Sequence, residues 1–272
     1  MIAFPFAKIN LGLYVERLRP DGYRDIRSVM LPVPLYDVLE VVEAPELGPG
    51  EVAMTYSGIL VPGDPANDLC QRAVRSVATE RPLPGVRIHL HKCIPTGAGL
   101  GGGSSDGAHT LLLLDRLFEL RMDRERLAGL AAGLGSDCAF FLRNEAQLAE
   151  GRGERLSTLA ASVAGWWLVL VNPGIHVGTA EVYAHTPVES EAVDLPALMQ
   201  AGPEVWADRL HNRMEPYVFR SYPEVGRLKQ ALLDAGATYA AMSGSGSTVF
   251  GLFRARPELA GFPVTPLLLT RL

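Results

Sequence analysis

Pro95 to Asp106 reads PTGAGLGGGSSD, and it separates two contrasting patterns. Before it, Val86, Ile88 and Leu90 alternate with Arg87, His89 and His91, the period of a strand that runs into Cys93-Ile94. After it, an apolar helix is predicted from about Ser104 to Leu120. Glycine permits positive φ and lets a backbone approach a ligand closely. A helix start adds unpaired N–H groups and the positive end of a dipole. Ser104 and Ser105 contribute hydroxyl donors. Together these are the parts of a di- or triphosphate cradle. Read as an exposed loop, the segment has little packing to lose on substitution.

Gly97, Gly99 and Gly102 also satisfy GxGxxG, and Glu119 stands near the acidic position of a dinucleotide site. Glu119, however, falls at the end of the same predicted helix and not after a second parallel strand. A Walker A loop is excluded, because no Gly-Lys pair occurs anywhere in the chain. A merely structural turn has no use for so many glycines, given the entropy each one costs.

Outward from this loop, Ile9, Leu11, Leu13 and Val15 alternate with Lys8, Asn10, Gly12 and Tyr14. That is a strand carrying Lys8 and Asn10 together on its exposed face. Tyr36 to Glu43 reads as another strand. Asn67 and Asp68 are N-cap types ahead of Leu69, Ala73 and Val77 on one helix face. A further helix starts near Asp123, with Gly135 suited to a left-handed C-terminal position. Polar Ala149 to Arg155 precedes an apolar strand, Trp166 to Val171, and a domain boundary is placed there. Pro223 opens a helix that ends at Gly236, and two strands flank the turn Ser243-Gly244-Ser245-Gly246-Ser247. That second glycine-serine turn fits a hairpin or a second wall of the phosphate site. Gly135-Ser136-Asp137 leads into Cys138-Ala139-Phe140-Phe141, so Asp137 is either an N-cap or a working carboxylate at the edge of an apolar run.

The chain has 272 residues, 48% hydrophobic and 20% charged, which suits two modest domains and rules out general disorder. A net charge of −5 offers no basic field to nucleic acid. Cys70, Cys93 and Cys138 lie far apart with no CxxC, giving neither a disulfide framework nor a zinc site. Val163 to Val171 is far short of the roughly 20 residues a membrane helix needs. The N-terminus has no signal-peptide pattern, so a cytoplasmic protein without membrane partners is expected. His89 and His91 share a strand face but have no third ligand, and they read as solvated. Trp166 and Trp167 read as core strand. His176 and His211 are loop histidines to which no role is given.

AKINLGLYV, PTGAGLGGGSSD, GSDCAFF and MSGSGS, in this order, resemble the GHMP small-molecule kinases over essentially the full length. AKINL with DGYR, the triple glycine before SSD and Gly151-Arg152-Gly153-Glu154 are more specific. They favour the branch acting on 4-diphosphocytidyl-2-C-methyl-D-erythritol in non-mevalonate isoprenoid (terpenoid) biosynthesis over mevalonate, homoserine or galactose kinases. The resemblance implies an α+β, two-domain α/β fold. Its ATP-binding N-terminal domain would span residues 1–155 and a smaller C-terminal domain residues 156–272, with the active site in the cleft between them.

It also implies phosphorylation of the 2-hydroxyl by ATP with Mg2+, giving ADP, on a small molecule bearing a cytidine diphosphate group. The family's catalytic lysine and aspartate match Lys8 and Asp137. Its ATP loop matches Pro95, Thr96, Gly97, Ala98 and Gly99, then Leu100, Gly101 and Gly102, then Gly103, Ser104 and Ser105. Asn67 matches a position near the adenine. Tyr23 and Tyr183 match rings against the cytosine, and Asn10 and Thr179 match positions lining the substrate site. Arg24 stands where the family carries a histidine that binds cytosine. Cys138-Ala139 replaces Val-Pro, and Gly107 replaces alanine at a cost of about 1 kcal/mol in a helix.

These residue types suit phosphoryl transfer, which asks for positioning and charge neutralisation. A carboxylate takes the alcohol proton, and a nearby ammonium keeps that carboxylate ionised. Alternatively Lys8 polarises the hydroxyl and Asp137 orients it. Two other functions fit the phosphate loop: another alcohol kinase of the superfamily, or a non-catalytic nucleotide-binding regulator. Retention of both Lys8 and Asp137 speaks against the regulator.

Overall fold

A computed structural model describes residues 1–61, 63–188 and 193–272. The strands in the first half are β1 Ile2–Ala3, β2 Phe6–Leu18, β3 Arg24–Tyr36, β4 Val38–Glu43, β5 Val52–Gly58 and β6 Val86–Lys92. Those in the second half are β7 Gln147–Glu150, β8 Arg155–Thr158, β9 Trp167–Val171, β10 Tyr239–Met242, β11 Val249–Phe253 and β12 Leu268–Arg271. The helices are α1 Leu69–Ala78, α2 Gly102–Leu117, α3 Arg124–Leu134, α4 Thr179–His185, α5 Leu195–Ala201, α6 Pro203–Arg209, α7 Glu215–Ser221 and α8 Pro223–Asp234. Among the described residues, no helix is long and apolar enough to cross a membrane.

The chain forms two compact units, each assembled from separate stretches, so no single cut in the sequence divides them. The first comprises Met1–Ala7, Pro34–Thr96 and Gly101–Asn144. The second comprises Lys8–Val33, Gly97–Leu100 and Glu145–Leu272.

In the first unit, β1-β4-β6-β5 form a sheet in which β5 and β6 run parallel, joined through α1. Parallel neighbours need such a crossover, because a tight turn cannot reverse the chain twice. Asp68 starts α1 by accepting the Cys70 N–H at 2.7 Å, a cap worth about 1 kcal/mol. Leu39, Val41, Ile88 and Leu90 point from the strands into a core shared with Val74 and Leu111. Gly107 lies where α2 meets α1. A Cβ there would stand 2.9 Å from the Leu69 Cβ, so its helix cost is offset by close packing. Glu119 lies in the turn after α2, with φ 48, and α3 follows instead of a strand, which removes the dinucleotide alternative.

In the second unit, β2-β3-β7-β8 form one sheet and β10-β11-β9-β12 another. Their facing sides share a core containing Leu13, Ile26, Val169 and Val249, closed by Val225 and Leu232 of α8.

The predicted strands and helices are present, with two corrections. Strand β2 has no exposed face from Phe6 to Val15: Lys8 is 3% and Asn10 1% exposed. Sequence alternation marks two faces but cannot say that the second is covered as well. Gly135 has φ 177, extended backbone open to any residue, so it is not the left-handed cap expected. Ala149 to Arg155 is the tip of the β7–β8 hairpin, with Gly151 to Glu154 as its turn.

Candidate active site

The strand-to-helix loop is built on alternate left-handed glycines: Gly97, Gly99 and Gly101 have φ of 66°, 78° and 71°. Each would be strained with any side chain. Helix α2 begins at Gly102, two residues earlier than expected, and Gly101 caps it with no side-chain hydrogen bond. Its first-turn amides therefore belong to Gly102, Gly103 and Ser104, on backbone that carries little side chain. A Cβ added to Gly103 would meet nothing within 4 Å. That is an open cradle a bulky residue would fill.

Gly102 and Gly99 are packed, against the expectation of a loop with little to lose. A Cβ on Gly102 would stand 2.9 Å from Ile94 Cγ2, and one on Gly99 would stand 2.0 Å from the Ser243 carbonyl oxygen. The second value means that the glycine-serine turn of the second unit lies directly on Gly99. The two meet through hydrogen bonds. Ser243 Oγ donates to the Gly99 carbonyl at 2.8 Å, and Thr248 N donates to the Ala98 carbonyl at 3.1 Å. The MSGSGS turn is thus the second wall of this part of the loop. Asn212 holds it by donating to the Met242 and Gly244 carbonyls at 2.8 and 2.7 Å.

Lys8 enters the same cluster. Its backbone N–H donates to the Leu100 carbonyl at 2.9 Å, and its Nζ to the Gly99 carbonyl at 3.0 Å and to Asn10 Oδ1 at 2.5 Å. Asn10 in turn donates from Nδ2 to Ser28 Oγ at 2.8 Å and from its backbone to Ser243 Oγ at 3.2 Å. A buried ammonium costs several kcal/mol unless its protons find acceptors, and here the loop carbonyl and the Asn10 amide supply them. Thr179 reaches this neighbourhood through a 3.0 Å hydrogen bond between its hydroxyl and that of Ser245. His176 packs on Gly97, its Nδ1 2.6 Å from where a Cβ would lie.

Asp137 belongs to the first unit, at the head of the short 3-10 helix Cys138–Leu142, and its side chain makes no capping bond. Its backbone carbonyl accepts from Phe140 N at 3.2 Å, and Ser136 Oγ donates to its Oδ1 at 3.3 Å. Phe140 and Phe141 anchor the segment on Phe6, with ring centroids 6.3 and 5.3 Å away. Asn67 is exposed at the end of the 3-10 turn Pro65–Asn67.

Tyr23 is 57% exposed, held by a turn in which Asp21 Oδ1 accepts its N–H at 3.1 Å. The guanidinium of Arg152 lies over one face of its ring, 5.0 Å from the centroid. Arg24 points elsewhere. It donates to the Thr186 and Ala184 carbonyls at 2.7 and 3.3 Å, satisfying the C-terminal end of α4. Tyr183, on α4, packs half-buried against the core of the second unit. His89 and His91 bond to the Thr55 and Ser57 hydroxyls on the sheet.

The GHMP kinases N terminal domain matches residues 68–145, and the GHMP kinases C terminal domain matches residues 194–261. The 4-diphosphocytidyl-2-C-methyl-D-erythritol kinase of Cytophaga hutchinsonii is 43% identical, covering 95% of this chain and 94% of that protein. The chain belongs to the GHMP kinases. The corresponding kinase of Bacteroides fragilis is 42% identical over 93% of this GHMP kinase and 92% of its own length. A crystal structure of 4-(cytidine 5'-diphospho)-2C-methyl-D-erythritol kinase superposes with a TM-score of 0.77 at 34% identity, covering 94% and 91% of the two chains. The Methanococcus jannaschii mevalonate kinase, at 14% identity over 93% and 90% of the two chains and a TM-score of 0.66, shares the fold.

Other residues build this GHMP kinase's candidate site without a mark in the sequence. Ser28 and Asn212 hold Asn10 and the second turn, and nothing local marks them; Ser243 was visible in that turn, but not its bonds to Asn10 and Gly99. Arg152 was visible inside Gly151-Arg152-Gly153-Glu154, but its place over Tyr23 was not.

Proposed function

We propose that this GHMP kinase transfers the γ-phosphoryl group of ATP to the 2-hydroxyl of 4-diphosphocytidyl-2-C-methyl-D-erythritol, giving ADP and a phosphomonoester. The substrate assignment is supported by relatives of that name about two-fifths identical over nearly the whole chain. The observation that carries phosphate binding is the loop itself: three left-handed glycines lead to an uncapped helix start beside Gly103, whose missing side chain leaves open space. Backbone amides there would take phosphate oxygens, with Pro95 to Ser105 as the cradle and Asn67 toward the base. Magnesium bound with the ATP phosphates would supply charge neutralisation and would need only one or two protein carboxylates.

Asp137 would accept the proton of the attacking hydroxyl, which is far too weak an acid to lose it unaided. Lys8 would hold positive charge beside the reacting oxygens, its position fixed by the Gly99 carbonyl and Asn10. Tyr23, Asn10, Thr179 and Tyr183 would line the substrate end. Arg24 would serve there by fastening α4, and not by meeting the cytosine as the family's histidine does.

A coupled ADP-release assay tests this across 4-diphosphocytidyl-2-C-methyl-D-erythritol, mevalonate, homoserine and galactose. Turnover confined to the first is expected. Turnover of another alcohol would move the chain within the superfamily, and ATP binding without turnover on any substrate would make it a non-catalytic nucleotide-binding regulator.

A further inference from the structure

The first unit buries an ion cluster that the phosphoryl-transfer scheme does not use. Asp37 is 0% exposed and Lys92 and Asp106 are each 3% exposed. Lys92 Nζ donates to Asp106 Oδ2 at 2.7 Å and, in a closer contact, to Asp37 Oδ2. The other Asp37 oxygen, Oδ1, accepts the backbone N–H groups of Cys93 and Ile94, at 2.6 and 2.9 Å. Asp106 Oδ1 is buried and has no hydrogen-bond partner among the described residues.

Two carboxylates around one ammonium leave an excess negative charge in apolar surroundings, which burial penalises. The cluster answers by keeping a proton. Burial pushes the Asp106 carboxyl up to about 8, against the pull of Lys92, with Asp37 adding to the rise. Cys70 and Thr110 face the same space, and Asp68 bears on it from the cap of α1.

Apolar side chains would stabilise a core as well as such a cluster does, so its value lies in fixing positions. What it fixes is specific. Asp37 holds the strand where it enters the glycine loop, at Cys93 and Ile94. Asp106 lies on the helix that leaves the loop, one turn beyond Gly102. Lys92 joins the two, its Nζ 3.2 Å from where a Gly102 Cβ would stand. We infer that Asp37, Lys92 and Asp106 are positioning residues that set the spacing between the two ends of the phosphate loop, acting through Cys93, Ile94 and Gly102. This rests on the kinase reading above.

The test measures Asp37→Asn and Asp106→Asn against the unaltered chain: ATP affinity by calorimetry, separate KM values for ATP and the alcohol, and melting curves. Asp37→Asn removes the charge that holds Lys92 while it grips the two amides. It should raise the KM and Kd for ATP about tenfold and move the KM of the alcohol less than twofold. In the unaltered chain, ATP affinity should weaken as pH rises from about 7.5 to about 9 and the cluster loses its proton. Asp106→Asn has no proton to lose there and should give a flat profile. A lowered melting temperature with ATP affinity within twofold of the unaltered chain, or identical pH profiles in the unaltered chain and Asp106→Asn, would make the cluster merely structural and overturn the inference. If Asp37→Asn does not fold, the Asp106→Asn profile decides. An unaltered chain that binds no ATP at all would sink the kinase reading itself, an outcome separable from the others because it appears before any substitution.

Discussion

Lys8 Nζ donates to the carbonyl of Gly99 at 3.0 Å, joining the N-terminal strand to the middle of a glycine loop 91 positions away. Gly99 is also the residue on which Ser243 rests. One glycine therefore carries both a catalytic candidate and the second turn, and its lack of a side chain is what lets the three meet.

Gly99→Ala should fail to fold or melt far below the unaltered chain. Its Cβ would overlap the Ser243 carbonyl, and its φ of 78° disfavours any side chain. Gly103→Val should do the opposite. With open space around that position, it should weaken ATP binding by an order of magnitude while leaving stability within about 1 kcal/mol of the original. Calorimetry and thermal melts on both variants check this, and an unchanged ATP affinity in Gly103→Val would remove the loop from the phosphate site.

Asp137→Asn should cut turnover about 10²–10⁴-fold and leave ATP affinity close to the original, because the amide keeps the shape of the carboxylate and cannot take the proton. Lys8→Ala should lose comparable turnover but also about 1–3 kcal/mol of stability, since it leaves the buried Asn10 Oδ1 without the Lys8 donor and the Gly99 carbonyl with Ser243 Oγ in place of two donors. A Lys8→Ala melting temperature equal to that of the unaltered chain would show that the Lys8 bonds contribute nothing to folding.

Tyr23→Ala should raise the KM for the cytidyl substrate by the worth of one aromatic–base stack, about 1–3 kcal/mol, and leave the KM for ATP unchanged. Half-exposed and held by backbone bonds, Tyr23 should cost little stability on truncation. With Arg152 over one face, the base has the other. Arg24→Ala should instead lower the melting temperature, because it strands the Ala184 and Thr186 carbonyls. A cytidyl KM that responds to Arg24→Ala with no loss of stability would mean that Arg24 meets the substrate.

Stability should fall as pH rises between about 4 and about 8, and Asp106 is the source. Its folded pKa of about 8 lies above the ordinary 3.8, so across that window the folded chain holds a proton that the unfolded chain releases. The slope is at most about 1.4 kcal/mol per pH unit for one proton. Asp106→Asn should flatten it and stabilise the protein most at the alkaline end. Melting curves from about pH 5 to about pH 8 compare the two, and parallel slopes would place the buried proton elsewhere.

The glycine loop, the strands on either side of MSGSGS and the helices after Asp68, Asp123 and Pro223 were all legible in the sequence. Each depends on forces acting within a few residues: glycine's freedom at positive φ, side-chain caps on helix amides and the apolar period of strand or helix. That local information was enough to mark a phosphate loop and to bring out the family's order of motifs. What it could not supply was burial on a second face or contact across a long stretch of chain. Lys8 looked exposed because alternation shows two faces and not what covers them. Gly102 looked free because its neighbours, Ile94 and Lys92, press on it only once the strand and helix fold together. Arg24 looked like a poor substitute for a histidine, and folding gave its guanidinium the end of α4 to hold. Asp37 carried no signal at all, since its partners lie 55 to 57 positions away. A buried charge persists only where its partners converge, and that convergence belongs to the tertiary structure.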